Sequence, residues 1–129
     1  MPLEYRKWIT REMLQAEPDT LFVFGDNLQR KGLGGQAKSM RGEPNAIGIP
    51  TKKRPSNNED AFFTDQDLDE VRNEIDSEFR RLEAHLIAGG FVVWPEDGIG
   101  TGFADLPRRA PKFWDYLEGN RSRLERITS

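Results

Sequence analysis

Apolar residues fall into two patterns along the chain. Short unbroken runs occur at Leu21-Phe22-Val23-Phe24, Ala46-Ile47-Gly48-Ile49 and Phe91-Val92-Val93-Trp94. Runs of this kind suit strands covered on both faces, as in a parallel sheet. Pro50 and Pro95 close the second and third runs, because proline cannot donate to a ladder. Gly48 inside the second run predicts close approach of another backbone. Leu3 to Ile9 alternates more loosely and predicts an edge strand. Elsewhere the spacing is helical. Leu68, Val71, Ile75, Phe79, Leu82 and Leu86 recur at three- and four-residue steps and form one stripe on a long helix. Thr64 and Asp67 ahead of it read as a capping box, and Gly89-Gly90 as its C-cap.

Shorter helices are predicted around these elements. One follows Thr10 through Met13, Leu14 and Ala16 and stops at Pro18. A second runs from about Gly35 to Met40 and breaks at Arg41-Gly42-Glu43-Pro44. A third begins near Arg109 and carries Ala110, Phe113, Trp114 and Leu117. Gly119 is expected to end it, leaving Arg121 to Ile127 as a short terminal helix. Strands alternating with helices imply an α/β fold: a compact three-layer domain over residues 1–129, with helices on both faces of a mostly parallel sheet.

Composition narrows the function without naming it. The chain has 129 residues, a net charge of -3 and no cysteine. Disulfides and thiolate metal sites are therefore excluded, and no metal or cofactor is expected. The negative charge argues against nucleic acid as a partner, since the only basic cluster is the short Lys52-Lys53-Arg54. No apolar run approaches the roughly 20 residues of a membrane helix. Met1 to Thr10 lacks the apolar core of a signal peptide, so a soluble cytoplasmic protein is expected. His85, the single histidine, reads as a surface residue at a helix end. Trp94 reads as core, while Trp8 and Trp114 are open between core and partner surface.

The chemistry gathers at two glycine loops, each directly after a strand. Gly25-Asp26-Asn27 follows the first run as a turn, with Gly32, Gly34 and Gly35 close behind. Gly98, Gly100 and Gly102 follow Pro95-Glu96-Asp97. Glycines let backbone N–H groups approach a ligand, and a run of such groups forms an anion-binding nest. In parallel sheets ligands sit beyond the carboxyl ends of the strands, so both loops are expected to open on one edge. The second loop lacks the Gly-Lys-Ser/Thr of a P-loop and the downstream unit of a dinucleotide fingerprint. Asn27 suits ribose hydroxyls, and Lys52, Lys53 and Arg54 after the Ile49 strand suit phosphates; Glu96 or Asp97 could serve as a general base, and Asp26 and Asp97 are the candidates taken for acid–base work. A valine at Gly100 is expected to block the loop and leave the fold in place.

Four segments carry a family resemblance: Phe-Gly-Asp-Asn (24–27), Gly-Leu-Gly-Gly-Gln-Ala (32–37), Asn-Ala-Ile-Gly-Ile-Pro-Thr-Lys (45–52) and Gly-Ile-Gly-Thr-Gly-Phe (98–103). Together they resemble a compact macrodomain-like family of small bacterial and phage proteins. The resemblance implies binding of ADP-ribose or a related nucleotide diphosphate. Asn27 with Gly32, Gly34 and Gly35 looks like the loop near the distal ribose, and Gln36 beside them is a further expected ligand contact. Gly98, Gly100, Gly102 and Phe103 look like the loop that wraps the diphosphate, and Ile99, Thr101 and Lys52 are further expected ligand contacts. It also implies that any turnover would be hydrolysis of an ADP-ribose adduct. The chain is short for a macrodomain, so fewer strands are expected, and no counterpart of the acid that reads adenine is placed. The alternative is a phage or bacterial interaction protein that binds a host protein and keeps a degenerate nucleotide pocket. An open cleft favours the ligand, and a cleft plugged by Phe103 or Gln36 favours the host protein.

Overall fold

The computed structural model describes residues 2–128. Four strands form one parallel sheet: β1 (Leu3–Arg6), β2 (Thr20–Asn27), β3 (Ala46–Lys52) and β4 (Phe91–Pro95), in the order β1-β4-β2-β3. The helices are α1 (Arg11–Ala16), α2 (Ala37–Met40), α3 (Leu68–Ile87), α4 (Leu106–Arg109) and α5 (Pro111–Thr128). The fold is α/β with three layers. Val23, Ile47, Ile49, Val92 and Trp94 turn to one face and pack under α3 and α5, with Ile75, Phe79, Leu82, Phe113 and Leu117. Phe22, Phe24 and Val93 turn to the other face and meet Leu14, Ala37 and Met40 of α1 and α2. The strict alternation within each strand explains the unbroken apolar runs, since both faces are dry. Each large side chain so buried contributes about 1.5–3 kcal/mol by leaving water.

Several boundaries differ from the sequence pattern. Gly25, Asp26 and Asn27 continue β2, where a turn was expected, because they pair in parallel with Ile49, Pro50 and Lys52. β3 likewise runs past Pro50 to Lys52. Proline is tolerated there because β3 is the last strand of the sheet. Gly48 does face a close neighbour, but it is a side chain: a Cβ there would lie 2.9 Å from Asp26 Cβ. Gly119 does not end the last helix, and α5 continues to Thr128. A mid-helix glycine costs about 1 kcal/mol. Here the buried stripe of Phe113, Leu117 and Leu124 carries the helix through it. At its start the helix is divided at Ala110 into α4 and α5. The Thr64–Asp67 capping box forms as expected, ahead of a short 3-10 turn that leads into α3.

The order of strands creates one special place. From β2 the chain moves outward to β3 through α2, then returns through α3 to β4 on the other side of β2. α2 covers one face of the sheet and α3 the other. The carboxyl ends of β2 and β4 therefore flank a topological switch point, where a crevice opens in sheets of this type.

Candidate functional site

Both glycine loops leave the sheet at that crevice. Residues 28–36 follow β2, and residues 96–105 follow β4. Between them lies a cleft of about 760 Å³, within the range of small-molecule sites. Gly25, Asp26 and Asn27 line it from the end of β2, and Thr51 and Lys52 from the end of β3. Gly32, Gly34, Gly35 and Gln36 line it from the first loop, and Gly98, Gly100, Thr101, Gly102 and Phe103 from the second. Arg41, Pro55, Asn57 and Leu33 complete the wall and rim with a few neighbours.

The loops are fastened rather than loose. Gln36 accepts the Gly25 N–H at 2.8 Å and donates its side-chain amide to the Gly98 carbonyl at 3.0 Å. One side chain thus ties the first loop to the end of β2 and to the second loop. Space is tight at Gly25, where a Cβ would lie 3.3 Å from both the Gly100 nitrogen and Thr51 Oγ1. The Gly100 carbonyl in turn accepts the Leu106 N–H at 2.8 Å and seats α4.

What the loops leave free is a set of donors. Among the described residues, no protein acceptor meets the backbone N–H of Leu33, Gly34 or Gly35, nor that of Thr101, Gly102 or Phe103. A Cβ at Gly34, Gly35 or Gly102 would meet nothing within 4 Å. Gly32, Gly35, Gly98 and Gly100 hold positive φ, the conformation that turns successive amides into a concave nest.

Polar side chains complete the wall. Asn27 is 7% exposed. Its amide nitrogen donates to the Lys31 carbonyl at 2.8 Å, and its Oδ1 has no partner. That leaves an acceptor suited to a ligand hydroxyl. Lys52 donates to the Ser56 carbonyl at 2.6 Å and lies 4.7 Å from the centre of the Phe62 ring. Burial, with the Arg109 charge beside it, holds its ammonium pKa below the ordinary lysine value. Lys53 and Arg54 are turned to Asp67 and Asp60 and do not line the cleft.

The two carboxylates expected to do chemistry are placed very differently. The Asp26 side chain is 3% exposed and held by Arg41 and Arg30. It also accepts the Asn27 N–H at 2.8 Å. Asp97 is exposed and is not among the cleft-lining residues. Its carbonyl, not its carboxylate, is engaged there, accepting the Thr101 hydroxyl at 2.8 Å. Ile99 also turns away, 2% exposed within the core. Glu96, like Asp97, is exposed and off the cleft. All the other expected site residues line the cleft.

The sequence pattern missed Arg41 and Arg30. Arg41 lines the cleft and donates from Nε to the Gly32 carbonyl at 2.7 Å. Arg30 holds φ +56 and bonds to the Gly48 carbonyl and to Glu74 of α3. An isolated arginine in a loop has no periodicity to announce it. The one available signal was a lone acid at a strand end, which needs a cation once buried.

The sequence profile of a family described as "Family of unknown function (DUF7831)" matches residues 4–120. The chain belongs to that family. The matched span runs from β1 into α5 and contains both glycine loops and every residue of the cleft. Comparison with curated proteins and with solved structures gives no match. Among the described residues, no helix is long and apolar enough to cross a membrane. Nor do three or more His, Cys, Asp or Glu side chains come together as a metal site among them.

Proposed function

We propose that the protein binds ADP-ribose or a related nucleotide diphosphate in the cleft between its two glycine loops. The observation that carries this reading is the set of unpaired backbone N–H groups from both loops around one cleft at the switch point of the sheet. Backbone donors in such a nest recognise phosphate oxygens and need no net positive charge elsewhere. A diphosphate carries two phosphate groups, one to offer to each loop. The unpaired Asn27 Oδ1 supports a sugar hydroxyl as the neighbouring group. Leu33 and Phe103, 64% and 82% exposed at the rim, offer an apolar surface to a base or sugar ring. The macrodomain-like resemblance of the loop segments points the same way.

The reading is of a binding protein rather than a hydrolase. Asp26 is the single carboxylate among the cleft-lining residues, and it is bound up with two arginines. Its carboxylate oxygens are taken up by those guanidinium groups and by the Asn27 N–H, which leaves it engaged with the protein rather than with a substrate. The alternative, a host-binding protein with a degenerate pocket, calls for a filled cleft. Phe103 points to solvent and Gln36 is spent on the wall, which favours a ligand.

Calorimetric titration with ADP-ribose, ADP, AMP and NAD tests this. Saturable heat is expected with the diphosphates and weaker heat with AMP. At 100 times its dissociation constant a ligand adds about 2.7 kcal/mol of stability, so a rise in melting temperature should accompany binding. No heat and no shift with any of the four would remove the proposal.

A further inference from the structure

Arg41 is the only arginine among the described residues that line the cleft, and it bonds to the backbone of the first glycine loop. Its Nε donates to the Gly32 carbonyl at 2.7 Å and its Nη2 to the Lys31 carbonyl at 3.3 Å. Both terminal nitrogens also meet the Asp26 carboxylate, Nη1 at 3.3 Å and Nη2 closer still. The guanidinium carbon sits 5.5 Å from the centre of the Phe24 ring. Asp26 is itself fixed by the Asn27 N–H and by Arg30, so the plane of Arg41 is set by β2. Gly48 makes this possible, since any side chain there would collide with the Asp26 carboxylate.

The grip has a geometric consequence. In a trans peptide the C=O and the following N–H point in opposite directions. With the carbonyls of Lys31 and Gly32 turned onto Arg41, the N–H groups of Gly32 and Leu33 must turn away from it. Gly32, at φ +98, supplies the backbone conformation between them. We infer that Arg41 is a positioning residue: seated on Asp26, it holds the Gly32 carbonyl, shares the Lys31 carbonyl with the Asn27 side-chain amide, and so fixes the first backbone nest in the shape that receives a phosphate. This rests on the diphosphate reading of the cleft. Arg41 does not act as the phosphate's own counter-ion, because its charge is met by Asp26. Asp26 is likewise the seat of the clamp and not an acid–base group. A lysine would be a poor substitute, since one ammonium cannot span Asp26 and two carbonyls with the planar fork of a guanidinium.

The test is Arg41→Lys, which keeps a cation beside Asp26, followed in two ways. The amide spectrum of the unliganded variant should show shifts at Gly32 to Gln36 and none along α3, with the melting temperature within a few degrees of the parent. Affinity for ADP-ribose should fall about tenfold or more, the loss expected when a charge-assisted hydrogen bond is removed. Should this variant fail to fold, Asp26→Asn carries the same test, because it removes the seat and keeps the shape. Unmoved loop amides, or affinity equal to the parent's, would overturn the inference. A parent protein that gives no heat with ADP-ribose overturns the diphosphate reading instead, while the unliganded spectrum still decides whether Arg41 sets the loop.

Discussion

Gln36 donates its side-chain amide to the carbonyl of Gly98 at 3.0 Å, and this bond joins two loops that stand 62 residues apart in sequence. The same side chain accepts the Gly25 N–H at 2.8 Å. Its terminal amide therefore bridges the end of β2 and the second loop. The sequence pattern placed Gln36 among ligand-contacting groups. In the structure its amide oxygen and nitrogen are both spent on the protein.

Gln36→Glu should separate the loops. The replacement keeps the shape but puts a carboxylate oxygen against the Gly98 carbonyl, where a donor stood. A loss of about 1–3 kcal/mol is expected, together with weaker ADP-ribose binding. Urea denaturation and calorimetry check the two effects. Parental stability and affinity would mean that the loops hold their spacing without this bridge.

Gly100 and Gly102 should respond differently to valine. At Gly100, φ is +75, and a Cβ would meet Leu106 and Thr51 atoms at 3.1 Å. Gly100→Val should therefore destabilise the fold, by about 1–3 kcal/mol for the backbone alone. This departs from the expectation that a valine at Gly100 blocks the loop and leaves the fold in place. Gly102 has ordinary φ and open space around its Cβ. Gly102→Val should melt like the parent yet fail to bind ADP-ribose. Retained binding in a well-folded Gly102→Val protein would place the ligand away from the second loop.

Gly48→Ala should be among the most damaging small substitutions. Its Cβ would lie 2.9 Å from Asp26 Cβ and 3.0 Å from Asp26 Cγ. Asp26 cannot swing aside without leaving Arg41 and Arg30. At least about 2 kcal/mol should be lost, the scale of overpacking in a tight interior. A melting temperature equal to the parent's would show that Asp26 is free to move.

Acid should loosen the β1 edge of the sheet. Arg6 holds Glu17 through two hydrogen bonds, at 2.7 and 2.9 Å, and these keep the Glu17 carboxyl below its ordinary pKa of 4.5. A depressed carboxylate stabilises the fold at neutral pH. Its contribution is lost as pH falls from that ordinary value through the folded-state one. Glu17→Gln should be less stable at pH 7 and should show a shallower decline below pH 4.5 than the parent. Parallel melting-temperature curves for the two proteins would contradict this.

The pattern of apolar residues made the layers readable, because the strands alternate between two buried faces and α3 carries a single stripe. Strand ends were less readable. Asp26 and Asn27 have turn chemistry, and only pairing with β3 draws them into β2. The glycine loops were visible because glycines cluster there within a few residues, each cluster soon after an apolar run. Which carboxylate enters the cleft was not visible. Asp26 and Asp97 both follow apolar runs, and only the tertiary positions of Arg30 and Arg41 show that one is clamped while the other faces water. Ile99 was read by its neighbours, although as an apolar residue between two glycines it had reason to turn into the core.

The central claim is that both glycine loops present their backbone amides to one diphosphate. Titrating ADP-ribose into isotopically labelled protein and following each amide tests it most directly. The account predicts that the amides of Leu33 to Gln36 and of Thr101 to Phe103 shift together, on one saturable curve, with those of α3 unmoved. Shifts confined to one loop, shifts clustered elsewhere such as around the exposed Trp8, or no shifts at all would contradict it.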